Sequence, residues 1–162
     1  MLAEAQGFLP QGLYLEIQDA YRADTSQRLL FRKLCEELQN RHPEWRQEEL
    51  LVRTNDMVAS PYIDSPPPHT TGGAVDVTIV DENGNHIDMT SPYEWDERTA
   101  PTSFPGLSPQ ARQNRKILIT AMSRAGFSNY LGEWWHWSYG DPGWALRTGL
   151  NTAIYGKVDM RG

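Results

Sequence analysis

The chain has 162 residues and a formal net charge of −6, which suits a single globular domain over residues 1–162 and argues against a large basic surface for nucleic acid. It has no apolar run of about 18 residues, so no membrane-spanning segment is expected. The single cysteine, Cys35, excludes an intrachain disulfide and a zinc cluster made of cysteines.

The first 44 residues predict a strand followed by a helix. Residues 1–12 lack the basic start and the apolar stretch of a secretory signal, so the cytoplasm is the expected location, or the periplasm if a signal has been removed. Residues 13–18 alternate between apolar and polar side chains, as a half-buried strand does. From Asp24 to Asn40, leucines recur at helical spacing, and Pro43 ends this helix.

The remaining elements are predicted in the same way. Residues 44–64 are polar and predict loop with a short helix, and residues 74–80 predict a strand. Asn83-Gly84 is typical of a hairpin turn, with residues 86–89 as the returning strand. A helix is expected from Pro109 to Gly126 and a last strand over residues 133–139. This order favours an α+β fold with a mostly antiparallel sheet packed by helices.

Two of the four histidines lie in distinctive segments that also contain a carboxylate. His42 lies near a helix end beside Pro43, and His86 lies at the predicted hairpin, so neither is expected to have a functional role. His69 precedes Asp76 by seven positions, and His136 follows Glu133 in the segment "GEWWHW". His69 and His136 are therefore the candidates for a site.

Asp76 is the residue that suggests a metal ion. It interrupts the apolar strand "AVDVTIV", where a buried carboxylate is costly unless it is paired or binds metal, and its neighbours on the same face, Ala74 and Thr78, carry no positive charge. His69, Asp76 and His136 would hold one zinc ion and leave a fourth position for water, as in catalytic sites. The alternative is that Asp76 caps a turn and His69 lies in a surface loop.

Glu133 is the candidate general base. On an ideal strand, positions 133 and 136 face opposite sides, so both can reach one site only if the backbone bends, which Gly132 permits. Glu133 would then accept a proton from a metal-activated water. The alternative is that Glu133 ends a loop and the tryptophans around it belong to the core.

The segments "HTTGGAVD" and "EWWHW" resemble the two zinc motifs of the D-alanyl-D-alanine dipeptidases. These are zinc metallopeptidases of the LAS group, which includes D,D-carboxypeptidases and shares the hedgehog fold. The resemblance covers residues 6–155 and implies that His69, Asp76 and His136 bind zinc and that Glu133 is the base.

Two further segments implicate residues through the same resemblance. "GLYLEIQDAYR" implies that Arg22 stabilises the oxyanion, although Asp19 or Asp24 could simply pair with it. "YEWDER" implies that Glu94 contacts the substrate's amino group. The chain departs from the family pattern at Pro67, where a serine is frequent, at Ala23, where a proline is usual, and at Glu94, where an aspartate is more familiar.

The resemblance implies hydrolysis of the D-Ala-D-Ala dipeptide, with a small dipeptide as the partner and no nucleic acid or membrane partner. The preference for D,D stereochemistry comes from the resemblance alone, and the sequence leaves the oligomeric state open. Two alternatives remain: a D,D-carboxypeptidase that acts on peptidoglycan stem peptides, and a zinc-stabilised binding domain without turnover.

Overall fold

The computed structural model describes residues 1–90 and 98–158, which form helices around one antiparallel sheet. The strands are hydrogen-bonded in the order β1-β2-β4-β3, and every pairing is antiparallel. The α+β fold is therefore confirmed. In chain order the elements are α1 (Leu2–Gly7), β1 (Leu13–Asp19), α2 (Asp24–Arg41), α3 (Gln47–Met57), a 3-10 helix (Pro68–Thr71), β2 (Ala74–Asp81), α4 (Pro109–Arg124), β3 (Ser128–Asn129), β4 (His136–Ser138) and α5 (Pro142–Thr148).

One face of β2 forms the centre of the main core. Val75, Val77 and Ile79 share this face and belong to one buried cluster with Leu118 and Met122 of α4. Full burial of a side chain of this size contributes about 1.5–3 kcal/mol, so β2 is firmly held. The predicted strand and its apolar face are confirmed.

The opposite face of β2 carries the site, because the register with β4 determines which side chains meet. Asp76 pairs with His136, and Val75 pairs with Trp137. Directly paired residues in an antiparallel sheet point to the same side. Asp76 and His136 therefore lie together on the face that Val75 and Trp137 do not use.

Helices α2 and α3 enclose a second, smaller core. The helix predicted from Asp24 to Asn40 is confirmed, and it buries Phe31, Leu34 and Leu38. Residues 44–64 hold more helix than expected, because α3 extends over 11 residues and Leu50, together with Val58 after it, packs against α2. Tertiary packing therefore stabilises a helix that the polar local sequence only weakly favours.

The hairpin after β2 has the predicted turn but not the predicted returning strand. Gly84 has φ +80°, and the chain makes only one isolated bridge, between Val80 and His86. Beyond this bridge, side chains of α4 bind the backbone. The side-chain amide of Asn114 donates to the carbonyl of Asp88, and the Arg115 guanidinium donates to that of Met89. These side-chain bonds replace the ladder that residues 86–89 would have formed.

The strand expected over residues 133–139 is shorter, because β4 contains only His136–Ser138. A turn precedes it, in which the Glu133 amide donates to the Tyr130 carbonyl (3.0 Å) and the His136 amide donates to the Glu133 carbonyl (3.3 Å). The expected bend before His136 is thus present. The tryptophans of this segment are buried, as one alternative expected: Trp134, Trp135 and Trp137.

Several element ends are set by caps. Ser108 accepts a hydrogen bond from the Ala111 amide at the start of α4, and Gly126 follows the end of this helix with φ +91°. Helices α1 and α5 were not predicted, and Asp141 caps α5 by accepting from the Trp144 amide. Among the helices of residues 1–90 and 98–158, none has both the length and the apolar character needed to cross a membrane.

Candidate metal centre

His69 is held with one ring nitrogen free to act as a ligand. It lies in the 3-10 helix that follows the proline run and is only 6% exposed, so it is not a surface loop residue. Its Nδ1 lies 2.7 Å from the Ala20 carbonyl oxygen, which can only accept, so Nδ1 carries the proton and Nε2 has the lone pair. The Arg22 amide in turn donates to the His69 carbonyl at 3.0 Å.

Asp76 and His136 complete a group of three on the second face of the sheet. The Asp76 Oδ1 lies 2.9 Å from His136 Nδ1, and Asp76 Oδ2 lies 3.3 Å from His69 Nε2. The two imidazole nitrogens, His69 Nε2 and His136 Nδ1, are 3.2 Å apart. Asp76 and His136 are 6% and 7% exposed, so Asp76 is buried as expected and does not cap a surface turn.

The separations between these donor atoms fit a zinc ion. Zinc bonds of about 2.0–2.1 Å in a tetrahedron place neighbouring ligand atoms about 3.3 Å apart, and the two imidazole nitrogens are 3.2 Å apart. Each of them has a different oxygen of Asp76 beside it, and one ligand atom from each of the three residues lies within 4.8 Å of the other two. Two imidazole nitrogens and a carboxylate oxygen are also a usual donor set for this ion. His69, Asp76 and His136 are therefore suited to hold one.

The electrostatics of Asp76 and His69 favour an ionised carboxylate with positive charge beside it. Burial opposes ionisation of Asp76, but hydrogen bonds with His136 and His69 outweigh it and hold the pKa of the carboxyl well below its usual range. Burial also lowers the pKa of His69, yet the Asp76 carboxylate raises it by more. A buried carboxylate thus attracts positive charge between the two imidazoles.

Glu133 lies in the turn before β4 and lines the same cleft as the three donors. Burial raises the pKa of the Glu133 carboxyl to about 8, and the nearby Asp76 carboxylate adds to this effect. The imidazole of His69 and the guanidinium of Arg22 act in the opposite direction. Glu133 is therefore a carboxyl that can exchange a proton near neutral pH, next to a candidate metal site.

Arg22 lines this cleft as well, and it pairs with Asp19, which was one of the alternatives. Its Nε and Nη2 donate to the Asp19 carboxylate, and its Nη1 donates to the Gln27 side chain at 2.9 Å. The second alternative partner, Asp24, instead pairs with Arg28 and Lys157. Because Asp19 lines the cleft as well, this pairing holds the guanidinium at the cleft.

The other residues named from the sequence are not among the three donors, and one lies outside the described residues. His42 stacks on Trp45, and His86 lies beside the Glu16 carboxylate, so neither belongs to the three-residue group. Glu94 falls in residues 91–97, outside the described part of the chain. Pro67 is buried, and its carbonyl accepts from the Thr70 amide at the start of the 3-10 helix.

Sequence reasoning missed Gln27, which supports Arg22. Gln27 is 1% exposed, accepts from Arg22 and donates to the Ala59 carbonyl at 2.7 Å. It lies on the stripe of α2 that also carries Phe31, Leu34 and Leu38. A polar residue on an otherwise apolar helix face is a signal that could have revealed it, because such a residue must find a partner when it is buried.

The donors open onto a cleft of about 1100 Å³ that extends between the sheet and the α2–α3 pair. Clefts for drug-sized ligands usually measure about 300–1,000 Å³, so this one exceeds what an alanine dipeptide needs. Beyond the site residues, its lining includes Trp45, Arg53, Pro67, Tyr130, Trp135 and Arg147.

The described fold agrees with one solved structure. That structure, VanYB in complex with D-alanine-D-alanine, is 17% identical, with a TM-score of 0.51 over 86% of this chain and 68% of the other. At this level of identity the likeness concerns the fold alone. It shows that VanYB uses the same architecture of a sheet and its helices.

Sequence comparison assigns the family. A dipeptidase from Synechocystis is 35% identical over 112 residues, or 59% of this chain and 45% of the relative, and one from Escherichia coli is 30% identical over 125 residues, or 77% and 54%. Both relatives are named D-alanyl-D-alanine dipeptidase, and this chain spans about half their length. The family model described as D-ala-D-ala dipeptidase, peptidase M15, matches residues 1–154, and the chain therefore belongs to this peptidase family.

Proposed function

We propose that the chain is a zinc peptidase that hydrolyses the D-Ala-D-Ala dipeptide. The observation that carries the proposal is the meeting of His69, Asp76 and His136 at separations that suit zinc, in a cleft that Glu133 also lines. Family membership, the dipeptidase names of the relatives and the D-alanine-D-alanine complex of the structural neighbour support it. The activity is inferred, because the chain spans only about half of those relatives.

The metal would be held by three prepositioned side chains. Ala20 fixes the ring orientation of His69, and the β2–β4 register fixes Asp76 opposite His136, so little has to move on binding. When bound, zinc supplies a Lewis acid that polarises the scissile carbonyl and lowers the pKa of a water molecule. The three ligands leave a fourth position for that chemistry.

Glu133 would move the proton. Its carboxylate accepts a proton from the attacking water and later delivers it to the nitrogen of the leaving amine. The raised pKa of Glu133, about 8 without metal, keeps both protonation states accessible near neutrality. A divalent cation among His69, Asp76 and His136 lowers this pKa by electrostatic attraction, which favours the carboxylate that the first step requires.

Arg22 would stabilise the negative charge on the substrate oxygen. Its bonds to Asp19 and Gln27 use three of the five N–H donors of the guanidinium, and two remain for a substrate oxygen. Because Asp19 and Gln27 already hold the guanidinium, little reorganisation is needed when charge develops in the transition state.

The second candidate is a D,D-carboxypeptidase that acts on longer peptides. The size of the cleft favours it, since about 1100 Å³ exceeds what a dipeptide fills. We propose that Glu94 separates the two, because a carboxylate that pairs with the free amino group suits a dipeptide and not the interior of a stem peptide. A binding domain without turnover would need neither Glu133 nor Arg22 at the cleft.

A panel of alanine dipeptides tests the proposal. The D,D, L,D and L,L isomers are incubated with the protein, with and without added zinc, and free alanine is measured. We expect zinc-dependent release from the D,D isomer, which Glu133→Gln reduces about 10²–10⁴-fold while zinc content is unchanged. Release that does not depend on zinc contradicts the mechanism. Zinc binding without hydrolysis of any isomer contradicts the dipeptidase and leaves the carboxypeptidase and the binding domain.

A further inference from the structure

Asn129 contacts the backbone of both the proposed base and the third ligand. It ends β3, and its side-chain Nδ2 donates to the Glu133 carbonyl at 3.0 Å and to the His136 carbonyl at 2.9 Å. A primary amide has two N–H donors, and the turn uses both. One side chain therefore joins the first and last residues of the turn that separates Glu133 from His136.

Thr102 fixes the orientation of that amide. Its hydroxyl donates to Asn129 Oδ1 at 2.6 Å, so the amide nitrogen must face the two carbonyls. The Thr102 amide also donates to the carbonyl of Leu131, two residues before Glu133, at 3.0 Å. The turn is thus bonded to a second chain segment through both a side chain and the backbone.

Arg115 holds that second segment in place. The guanidinium is 2% exposed and donates to the carbonyls of Thr99, Pro101 and Thr102, while it lies over the ring of Trp134 at 5.5 Å. These bonds link α4 in the main core to the segment that orients Asn129. A deformation of the Glu133 turn would therefore disturb buried, charge-assisted hydrogen bonds as well.

We propose that Asn129 is a positioning residue that sets the place of Glu133 relative to the ligand His136, with Thr102 holding its amide. The proposal rests on the function proposed above for Glu133 and His136. Without the amide, the two carbonyls lose a shared donor, and the turn between base and ligand is free to relax. A displacement of about 1 Å is enough to reduce turnover strongly.

The test uses pairs of variants that differ in the side-chain donors that they retain. Asn129→Asp keeps the shape but removes both donors, and Asn85→Asp, in an exposed turn after β2, is the control. Thr102→Val removes the hydroxyl, whereas Thr102→Ser retains it. Thermal unfolding first establishes a temperature at which every variant is folded. Zinc affinity is then measured by competition with a chelator, the Co²⁺ absorption spectrum is recorded, and kcat and KM for the dipeptide are determined.

We expect Asn129→Asp to bind zinc about 10–100-fold more weakly, with an altered Co²⁺ spectrum, and to lose kcat by a similar factor at little change in KM. Thr102→Val should show the same direction of change, and Thr102→Ser and Asn85→Asp should resemble the parent. Parent-like zinc affinity, spectrum and kcat in a folded Asn129→Asp overturn the proposal, even if its melting temperature falls. If Asn129→Asp does not fold, the Thr102 pair decides by the same readouts. If the parent binds zinc but cleaves no dipeptide, the proposed function fails, while affinity and spectrum still decide the role of Asn129.

Discussion

The surroundings of Glu133 disfavour the ionised form of its carboxyl group. Burial and the Asp76 carboxylate raise its pKa to about 8 from the ordinary 4.5. Such a residue costs stability when it is ionised, and shifts of this kind are concentrated at functional sites. The cost is reversed when a cation occupies the space between His69, Asp76 and His136.

Glu133→Gln should therefore stabilise the metal-free protein at high pH. The folded-state pKa of Glu133 is raised above its unfolded value, so the stabilisation from the neutral carboxyl is complete below about pH 4.5 and is lost as the pH rises to about 8. The glutamine stays neutral throughout. In urea unfolding with a chelator present, we expect the free energy of unfolding of the variant to exceed that of the parent by on the order of 1–2 kcal/mol at about pH 9. This value takes into account that Glu133 is partly exposed.

The free energies of unfolding of the two proteins should nearly converge at about pH 5, where Glu133 is partly protonated in the unfolded chain as well. An equal difference at both pH values would show that the substitution acts through packing and not through the titration of Glu133.

Arg22→Ala should lower kcat far more than it raises KM. The guanidinium binds the substrate oxygen most strongly when negative charge develops there, so the loss of the guanidinium removes stabilisation of the transition state. The removal of one oxyanion donor typically costs about 10²–10³ in kcat. Arg28→Ala is the matched control, since Arg28 lies in the first turns of α2, close to Arg22 in the sequence, and pairs with Asp24. An effect confined to KM would instead assign Arg22 to the binding of a substrate carboxylate.

At the scale of elements, the predictions from sequence succeeded where local pattern and burial agree. Strand β2 and helix α2 show clear periodicity, and their apolar faces are the buried ones. The returning strand at residues 86–89 was wrong because Asn114 and Arg115, distant in sequence, bind the carbonyls of Asp88 and Met89. No local pattern contains such a contact.

The candidate site was predictable for a related reason. Asp76 stands out in an apolar strand, and His69 and His136 stand out in their segments, so residue type alone pointed to them. The support around them did not stand out: Asn129 acts through backbone carbonyls, which any sequence supplies. The sequence indicated Asp19 only as a possible partner of Arg22. In the structure the two residues pair, and both line the cleft.

Gly73 joins the 3-10 helix to β2 and should not tolerate a side chain. A Cβ there would lie 2.7 Å from the Tyr139 carbonyl oxygen and 3.2 Å from Asp141 Cβ. The obstacle is backbone, which cannot rotate away, and the Gly73 carbonyl also accepts from the Tyr139 amide at 2.8 Å. Gly73→Ala should therefore destabilise the protein by about 1–3 kcal/mol in urea unfolding.

Gly7→Ala is the control for this change, because a Cβ at Gly7 meets nothing within 4 Å and the residue has no positive φ. It should be neutral or slightly stabilising. Equal stability of Gly73→Ala and the parent would mean that the junction between His69 and Asp76 is looser than the contacts indicate.

At the scale of the whole molecule, the site lies between two units of packing. The sheet and α4 carry Asp76, His136 and the Glu133 turn, while the α2–α3 pair has its own small core and forms the opposite wall of the cleft. At the boundary, the backbone amide of Arg22, just before α2, donates a hydrogen bond to the carbonyl of His69. This wall therefore bounds the space that is open to a peptide.

A free dipeptide and its N-acetyl form distinguish the two enzyme candidates. If Glu94 pairs with the ammonium group, acetylation removes a charge-assisted hydrogen bond of about 1.5–3 kcal/mol and should reduce kcat/KM for D-Ala-D-Ala at least 10-fold. Glu94→Gln should narrow this gap, mainly by slowing the free dipeptide. Comparable cleavage of both substrates by the parent would favour the carboxypeptidase.

The most direct measurement of the central claim is the zinc content of the protein after equilibrium dialysis against zinc, determined by elemental analysis for the parent and for His136→Ala. The account predicts one zinc ion per chain for the parent, because three buried residues place ligand atoms within 4.8 Å of one another, and a loss of that ion in the variant. A folded parent that binds no zinc, or a His136→Ala variant that binds it equally well, would contradict the account.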